Sequence, residues 1–370
     1  MSVIFAAYLV VGLAMPVLPL HVHNGLGFGA FMVGIVTGAQ FAAALGTRIW
    51  AGHSADARGS KRAVITGILA MAAAGLVYLV SLRFADPAVA VSALIAARLL
   101  LGLGQGFIVA GGIAWGIMIT GPQHTGKVLA WLGIALYGAH AFGAPVGAAL
   151  FEAYGFASIA LATLVLPLLT LALVAPMQAM PARPQHRADF RAVLGAILKP
   201  GIALALGVSG YGAVLTFVVL LYLERGWDQA WLAFTVLSLA FMAGRAFFGH
   251  LPDKIGGAPV AACFALVETA GLALIYIAPT PAIALTGVSL TGLGYALVYP
   301  SFGVEALRRA PPENRGLATG AFTSFYDLSL GIGGPAFGLL ASFYGTDSIF
   351  AVSAVIVAMS AAMAVRMMGR

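Results

Sequence analysis

Long apolar runs alternate along the whole chain with short breaks that carry charge, proline or glycine. Twelve of these runs are long enough to cross a bilayer as a helix, which takes about 20 mostly apolar residues. They lie at residues 2–22, 31–51, 63–82, 88–119, 128–151, 157–178, 199–222, 230–250, 258–278, 282–306, 317–342 and 348–367. The runs lack the period-two alternation of outer-membrane barrel strands. The pattern therefore predicts an all-α membrane protein with twelve transmembrane helices.

The polar breaks between the runs occur in two copies. One spacing of arginine, glycine-histidine, aspartate and glycine returns 197 positions later, as Arg48-x-x-x-Gly52-His53-x-x-Asp56-x-x-Gly59 and Arg245-x-x-x-Gly249-His250-x-x-Asp253-x-x-Gly256. The later runs repeat at an offset of 190, which pairs Pro145 with Pro335 and Tyr154-Gly155 with Tyr344-Gly345. The repeat predicts two pseudo-symmetric six-helix bundles, residues 1–178 and 199–370, joined by a polar cytoplasmic linker at 179–198.

Composition and charge agree with a chain whose solvent is lipid. Hydrophobic residues make up 61% of the 370 positions and charged residues 8%, and the formal net charge is +7. Most of the basic residues fall in loops on one side of the predicted helices, so the positive-inside rule places both termini in the cytoplasm. The charge is therefore explained by topology and gives no reason to expect nucleic acid as a partner.

Several chemistries find no support in the sequence. The single cysteine, Cys263, allows no intramolecular disulfide, and no cluster at ligand spacing predicts a metal site. No nucleophile, acid pair or nucleotide-binding loop indicates an enzyme or a cofactor. The first apolar run contains Pro16 and Pro19 and lacks a basic n-region, so we expect it to remain as helix 1 and not to be cleaved as a signal peptide.

A few ionisable residues lie inside the apolar runs. Arg98 is near the middle of the fourth run, where an arginine costs about 2.5 to 3.5 kcal/mol to insert, so it is expected to face the bundle interior. Asp327 in the eleventh run is the first candidate for a proton-coupling site, and Glu268 in the ninth is the second. His140 shares a helix face with Tyr137 and suits a proton relay. The alternative for each is an ordinary polar contact between helices.

A substrate site in this architecture is expected near the bilayer midplane, between the two bundles. Helical spacing, together with what the family resemblance set out below implies, nominates polar and aromatic residues from both halves as its lining. The candidates are Tyr8, Gly12, Gln40, Arg98, Gln105, Tyr137, Tyr211, Thr216, Tyr295, Tyr299, Phe325, Tyr326 and Asp327. Tyrosines are also common packing residues between helices, so that reading stays open for each of them. Glu305 is instead expected to pair with Arg308 or Arg309, because these lie one turn further along its helix.

The loop Gly52-His-Ser-Ala-Asp56-Ala-Arg58-Gly59-Ser-Lys61-Arg62 resembles the signature between helices 2 and 3 of the major facilitator superfamily, and Gly249 to Gly256 resembles its copy between helices 8 and 9. The resemblance covers the whole chain. It implies a gate in which Asp56, with Arg58, Lys61 and Arg62, locks the cytoplasmic side when the carrier faces outward. The glycines Gly52 and Gly59, and Gly249, Asp253 and Gly256 in the copy, belong to the same predicted gate.

Further motifs resemble particular branches of the family. Arg98-x-x-x-Gly102-x-Gly104-x-Gly106 resembles the helix 4 motif of proton antiporters, and Gly143-Ala-Pro145-Val-Gly147 resembles a degenerate form of their helix 5 motif. Phe190-Arg-Ala-Val-Leu-Gly195, Gly226-Trp227-Asp228 and Asp327-Leu-Ser-Leu-Gly331 resemble the YhhS-like branch of small bacterial efflux carriers. The family usually has Gly-Pro and a glycine pair in helix 5, whereas here Ala144 precedes Pro145.

The resemblance implies a monomeric secondary transporter that exports a small organic molecule by proton antiport, with protons, substrate and lipid as its partners. The alternative in the same architecture is a facilitator or proton symporter that imports a sugar or an organic anion, with Arg98 as the anion's partner. A membrane-embedded enzyme or a receptor-like scaffold is disfavoured.

Overall fold

The computed structural model describes residues 2–121, 124–179, 190–310 and 315–368. Within these ranges the chain is helical and contains no strand. We number its twelve long helices α1 to α12. They span Ser2–Ala14 (α1), Ala30–Arg58 (α2), Ser60–Ser81 (α3), Pro87–Thr120 (α4), Thr125–Tyr154 (α5), Phe156–Val174 (α6), Phe190–Glu224 (α7), Trp231–Phe248 (α8), Gly257–Ile277 (α9), Pro281–Arg309 (α10), Arg315–Tyr344 (α11) and Asp347–Met368 (α12).

Each predicted apolar run falls on one of these helices. The first continues past α1 through the short helix Val17–Leu20 and a π-helical turn, His21–Gly25. In the described part of the chain, eleven helices are long and apolar enough to cross a membrane by length and composition. Helix α11, which matches the run predicted at 317–342, has 30 residues with Pro335 inside. The all-helical architecture predicted from the sequence is therefore confirmed.

The helix that follows the predicted linker begins earlier than expected. The run predicted at 199–222 is part of α7, which starts at Phe190, within the predicted linker. Residues 180–189, which make up much of that linker, lie outside the described residues. Contacts along the chain divide it into two compact units, Met1–His186 and Arg187–Arg370.

The same helix pairs pack together inside each unit. In the first unit α1 packs on α5, α2 on α4, and α3 on both α4 and α6. In the second unit α7 packs on α11, α8 on α10, and α9 on both α10 and α12. Every pair of the first unit thus returns six helices later. The sequence repeat therefore corresponds to a repeat of packing, and equivalent positions can be compared.

Local signals explain where several helices begin. Asp86 accepts a hydrogen bond of 2.8 Å from the backbone N–H of Ala88 and is followed by Pro87, so it caps α4. Thr280 accepts from Ile283 at 3.5 Å and is followed by Pro281 at the start of α10. A short polar cap followed by proline is the favoured way to begin a helix, because it satisfies exposed N–H groups that the helix leaves free.

The turns after α2 and before α9 have the same geometry in both units. Gly59 has φ 91° and ψ 144°, and its copy Gly256 has φ 97° and ψ 153°. This backbone conformation is open to glycine and strongly disfavoured for residues with a Cβ atom. The repeated glycine is therefore required by the turn, which starts α3 at Ser60 and α9 at Gly257.

Candidate functional site

Two glutamines are joined inside the first unit. The side-chain N–H of Gln40, on α2, donates a hydrogen bond of 2.6 Å to the side-chain oxygen of Gln105, on α4. Both residues are buried. The helices approach this closely because of Gly102, where an added Cβ would overlap the backbone oxygen of Gln40. The glycine of the helix 4 motif thus brings together two predicted lining residues.

Arg98 is buried on α4, with 5% of its surface exposed. Its guanidinium lies beside the hydroxyl of Tyr78, on α3, and interacts with it electrostatically, although the two do not form a hydrogen bond of standard geometry. Tyr78 in turn meets the edge of Phe156 at 5.4 Å between ring centroids, and His21 stacks on Phe156 at 4.0 Å. The prediction that Arg98 faces away from lipid agrees with this burial.

The sequence interpretation did not anticipate the neighbours of Arg98. Tyr78 looked like one more aromatic residue in an apolar run, and no spacing rule relates it to a residue on another helix. The signal that could have found it is the tyrosine hydroxyl itself, because a buried hydroxyl in a membrane helix usually meets a polar partner.

Tyr8, Tyr137 and His140 come together where α1 packs on α5. The His140 ring meets Tyr8 at 5.7 Å and Tyr137 at 6.1 Å between centroids, both edge-on. Gly12 permits this contact, because an added Cβ would lie 3.1 Å from the Cα atom of His140. His140 is buried, and among the described residues its Nε2 atom has no hydrogen-bond partner. The helix face predicted for Tyr137 and His140 is thus shared with Tyr8 from another helix.

In the second unit Tyr211, Tyr295 and Glu268 gather where α7, α9 and α10 meet. The rings of Tyr211 and Tyr295 stack at 4.4 Å between centroids, and Phe241 of α8 adds a tilted contact to Tyr295 at 5.7 Å. Glu268 is fully buried, and the backbone N–H of Tyr211 interacts electrostatically with its carboxyl group. Thr216 is buried on α7, five positions beyond Tyr211.

A further polar cluster lies between α10 and α11. The hydroxyl of Tyr299 is 2.7 Å from the hydroxyl of Thr323, and the Tyr299 ring meets Tyr326 edge-on at 6.4 Å. Asp327, next to Tyr326, is 2% exposed. Phe325 points the other way, toward α7, where it packs against the position that a Cβ of Gly201 would take. Adjacent residues of α11 therefore belong to different contacts.

The predicted gating residues are described only in part. The side chains of Asp56 and Arg58, and the surroundings of Gly52, lie outside what the structure describes, although the backbone of all three residues belongs to α2. Lys61 donates hydrogen bonds to the backbone oxygens of Ala175 at 2.7 Å and Met177 at 2.5 Å, just beyond α6. A cation is favourable there, because the last carbonyls of a helix carry partial negative charge.

The remaining gating residues lie at helix boundaries. Arg62 is exposed on the first turn of α3. Gly249 directly follows α8, and Asp253 is exposed in the short helix Leu251–Ile255 that precedes Gly256. In the described residues of this loop, Asp253 takes part in no ion pair.

Glu305 forms the ion pairs expected from the sequence and, in addition, a contact to another helix that the sequence did not predict. It pairs with Arg308 at 3.8 Å and Arg309 at 3.6 Å, as the helical spacing predicts. Its carboxyl group also accepts a hydrogen bond of 3.2 Å from the backbone N–H of Ala258, at the start of α9. An acidic group at a helix N-terminus is favourable, so Glu305 ties α10 to α9 and is already satisfied.

In the described part of the chain, no three His, Cys, Asp or Glu side chains lie close enough together to hold a metal ion. The contacts described above bring the site residues together in several buried or half-buried clusters. Buried ionisable side chains in apolar helices are expensive and usually serve transport of ions or substrates.

Comparison with known proteins places this geometry in a family. The family model for the Major Facilitator Superfamily matches residues 1–334 and 232–370. An uncharacterized MFS-type transporter of Salmonella typhimurium is 41% identical over 364 residues, which cover 98% of this chain and 93% of that protein.

Solved structures share the fold at low sequence identity. A mutant form of the nucleoside transporter NupG superposes with a TM-score of 0.77 at 14% identity, covering 99% of this chain and 98% of that one. A D-xylose-proton symporter gives a TM-score of 0.77 at 16% identity, covering 98% and 94%. With the repeated helix packing, the Gly59 and Gly256 turns and the family match along its length, the chain belongs to the major facilitator superfamily of membrane transporters.

Proposed function

We propose that this protein is a secondary active transporter that exports a small organic molecule by proton antiport. The observation that carries the proposal is the burial of ionisable side chains inside apolar helices: Arg98 at 5% exposure, Asp327 at 2% and Glu268 at 0%. An ionisable group in a membrane helix costs several kcal/mol and marks a path for ions or substrate by default. A protein of this family that carries three such groups has the means to couple transport to protons.

Export is favoured by the motif on α4. Arg98 and the glycines Gly102, Gly104 and Gly106 resemble the helix 4 pattern of proton antiporters. Gly102 and Gly106 lie against α2, and Gly104 lies against α3. The motif thus keeps the helix that carries Arg98 in close contact with two neighbours. Membership of the YhhS-like branch, whose finer sequence features the chain resembles, belongs to this proposal.

The second candidate is import of a sugar or organic anion by a symporter or facilitator. It is favoured by Arg98 itself, because the Nε atom of its buried guanidinium has no hydrogen-bond partner among the described residues. An anionic group would supply that partner. The solved structures that share this fold include a D-xylose-proton symporter.

The setting of the proposal is a bacterial inner membrane, with both termini in the cytoplasm and the protein acting as a monomer. The charge pattern supports this orientation. In it, the glycine turns at Gly59 and Gly256 face the cytoplasm, and Asp56 takes the gating role that the family resemblance implies. Charge reversal or neutralisation at Asp56 would then impair transport more than the same change at Asp253, which is exposed and unpaired among the described residues.

The experiment has two stages. A thermal-shift screen of a compound library on purified protein first identifies a ligand. Uptake of that ligand into proteoliposomes is then measured with an imposed pH gradient, in which each pH unit supplies about 1.4 kcal/mol per proton. Antiport predicts accumulation against the ligand gradient and its loss in Asp327→Asn or Arg98→Ala.

Two results would contradict the proposal. Transport that is unchanged by the pH gradient, with Asp327→Asn fully active, selects the facilitator. Accumulation in the direction of the proton gradient selects the symporter. Arg98→Lys serves as the matched control, because it keeps the positive charge but loses the planar guanidinium.

A further inference from the structure

Glu268 lies in a socket that is built for it at the middle of α9. An added Cβ at Gly210, on α7, would lie 2.7 Å from the carboxyl oxygen Oε1 of Glu268. An added Cβ at Gly294, on α10, would lie 2.7 Å from the Cβ atom of Glu268. The two facing helices thus have no side chain at the points where the glutamate needs room. The side chain is completely buried.

The carboxyl group has almost no polar support in this socket. Among the described residues, neither of its oxygens has a hydrogen-bond partner of standard geometry. The backbone amide of Tyr211 acts on it, but that amide belongs to the interior of α7. A buried ionised carboxylate without a partner is far more costly than the neutral acid. The arrangement therefore suits a carboxyl group that carries its proton.

Other charges are too far away to replace that proton. The described charged residues on α7, α10 and α12 lie nine or more positions along their helices from the contacts at Gly210, Gly294 and Val357, a rise of at least about 13 Å. They are Lys199, Glu224, Glu305, Arg308, Arg309, Asp347 and Arg366. Asp253 and Lys254 lie on the short helix that ends before the first turn of α9, whereas Glu268 is at the middle of α9. Tyr211 and Tyr295, whose rings stack on each other, directly follow Gly210 and Gly294 along α7 and α10.

The internal repeat shows that packing alone does not call for a carboxyl group. The offset of 197 pairs Glu268 with Met71, and the offset of 190 pairs Gly294 with Gly104. In the first unit Gly104 lies against Met71, since an added Cβ would be 2.6 Å from its Cγ atom. The same contact is therefore made twice, by a methionine in one unit and by a glutamate in the other. Both units fill this position with a side chain of similar size, but only the second unit fills it with an acid.

We propose that Glu268 binds and releases a coupling proton in the second unit, as a site separate from Asp327. This inference rests on the proposed proton-coupled function and adds a second protonatable residue to it. In the described conformation the acid O–H bond is intact. When α7 and α10 uncover the socket, that bond breaks, the proton passes to water, and the carboxylate keeps the electron pair. Uptake from water on the other side of the membrane reverses the step.

The test is an infrared measurement on purified protein reconstituted in liposomes, with proton concentration as the only variable. Difference spectra between acidic and alkaline buffer are recorded for the wild type, for Glu268→Gln, for Glu268→Met and for Asp327→Asn. The expected result is a C=O band of a protonated carboxylic acid that appears in the wild type and in Asp327→Asn. The same band is absent from both Glu268 variants. Glu268→Met keeps the packing that the first unit already uses at Met71.

Folding of each variant is checked by size-exclusion elution and by the thermal unfolding midpoint. If neither variant folds, Glu268→Asp assigns the band instead, because a shorter acid shifts its frequency without removing it. The inference is overturned if the band persists in Glu268→Gln or Glu268→Met, if it vanishes in Asp327→Asn alone, or if no such band titrates in the wild type.

Failure of this inference is separable from failure of the proposed function. Proton-driven transport that survives in Glu268→Gln removes Glu268 from the coupling step and leaves antiport standing. The opposite outcome is also possible to recognise. If the Glu268 band titrates but transport does not respond to the pH gradient, Glu268 remains a proton-binding site and antiport is contradicted.

Discussion

The side-chain amide of Gln40 donates to the side-chain oxygen of Gln105 across 2.6 Å, and this bond joins α2 to α4 in the interior of the first unit. Both side chains are buried, at 0% and 8% exposure. Inside a membrane protein no water is available to bond these polar groups, so they satisfy each other through this hydrogen bond.

Removal of one glutamine is expected to destabilise the protein more than removal of both. Gln105→Leu leaves the Gln40 amide buried without a partner, which costs about 1–3 kcal/mol. The double variant Gln40→Leu/Gln105→Leu removes both polar groups and is expected to recover much of the loss. Thermal unfolding midpoints of the wild type, the two single variants and the double variant form the cycle. Simple additivity of the two single effects would contradict the bond.

Gly147 is expected to be intolerant of any side chain. A Cβ at this position of α5 would overlap the backbone oxygen of Leu13, at the end of α1. Gly147→Ala should therefore destabilise the protein by about 1–3 kcal/mol, the usual result of overpacking. Gly133→Ala is the matched control on the same helix, because nothing lies within 4 Å of the added atom.

The control is expected to be neutral or slightly stabilising, since alanine is a better helix former than glycine. Equal unfolding midpoints for the two variants would show that α1 and α5 are not in contact at Gly147.

Arg225 is expected to matter more than its exposure suggests. It forms an ion pair of 2.7 Å with Asp347, donates to the backbone oxygens of Ala278 and Tyr276, and lies 5.1 Å from the centre of the Trp227 ring. One side chain thus joins the ends of α7, α9 and α12. Arg225→Ala should cost about 1.5–3 kcal/mol, the range for bonds to a charged group.

Asp347→Ala should cost less, about 0.2–1 kcal/mol, because it removes one exposed ion pair and leaves the carbonyl bonds of Arg225 intact. Arg83→Ala supplies the control, since Arg83 is exposed in the loop before α4. The order of the three unfolding midpoints checks the assignment. A larger effect for Asp347→Ala than for Arg225→Ala would refute it.

Lys61 is expected to act on stability through α6 as well as on any gate. Its ammonium group donates to the carbonyls of Ala175 and Met177, so Lys61→Ala should cost about 1 kcal/mol. Arg62→Ala, one residue along and exposed, should cost little. Transport measured on both variants separates the roles: a gating role for both residues predicts that each variant loses transport, whereas only Lys61→Ala loses stability.

The helices followed from the sequence because the bilayer leaves few choices. A backbone surrounded by hydrocarbon must bond to itself, so a run of about 20 apolar residues becomes a helix whatever its neighbours do. The start of α7 at Phe190 was not predicted, because Lys199 and Pro200 interrupt the apolar pattern and mark the end of the predicted linker, although the helix continues through both. A charge and a proline break a hydropathy run without necessarily ending the helix.

The contents of the candidate site followed less well. Spacing on one helix correctly placed Tyr137 and His140 on a common face, but it could not show that Tyr8 joins them from α1. The pairing of Gln40 with Gln105 and the position of Tyr78 beside Arg98 likewise join different helices. The sequence also ranked Asp327 above Glu268 from general expectations about their helices, without knowing which carboxyl group lacks hydrogen bonds.

The sequence by itself determined the solvent, the helices and the repeat, because hydropathy, glycine turns and motif spacing are properties of one segment at a time. Only the tertiary structure decided which polar side chains meet and which remain unsatisfied. Those outcomes depend on close approach between helices, as at Gly102, Gly210 and Gly294, where the missing side chain makes room for a residue far away in the chain. The sequence shows that a glycine is present, but only the packing of two helices shows which residue occupies the space that a side chain would have filled.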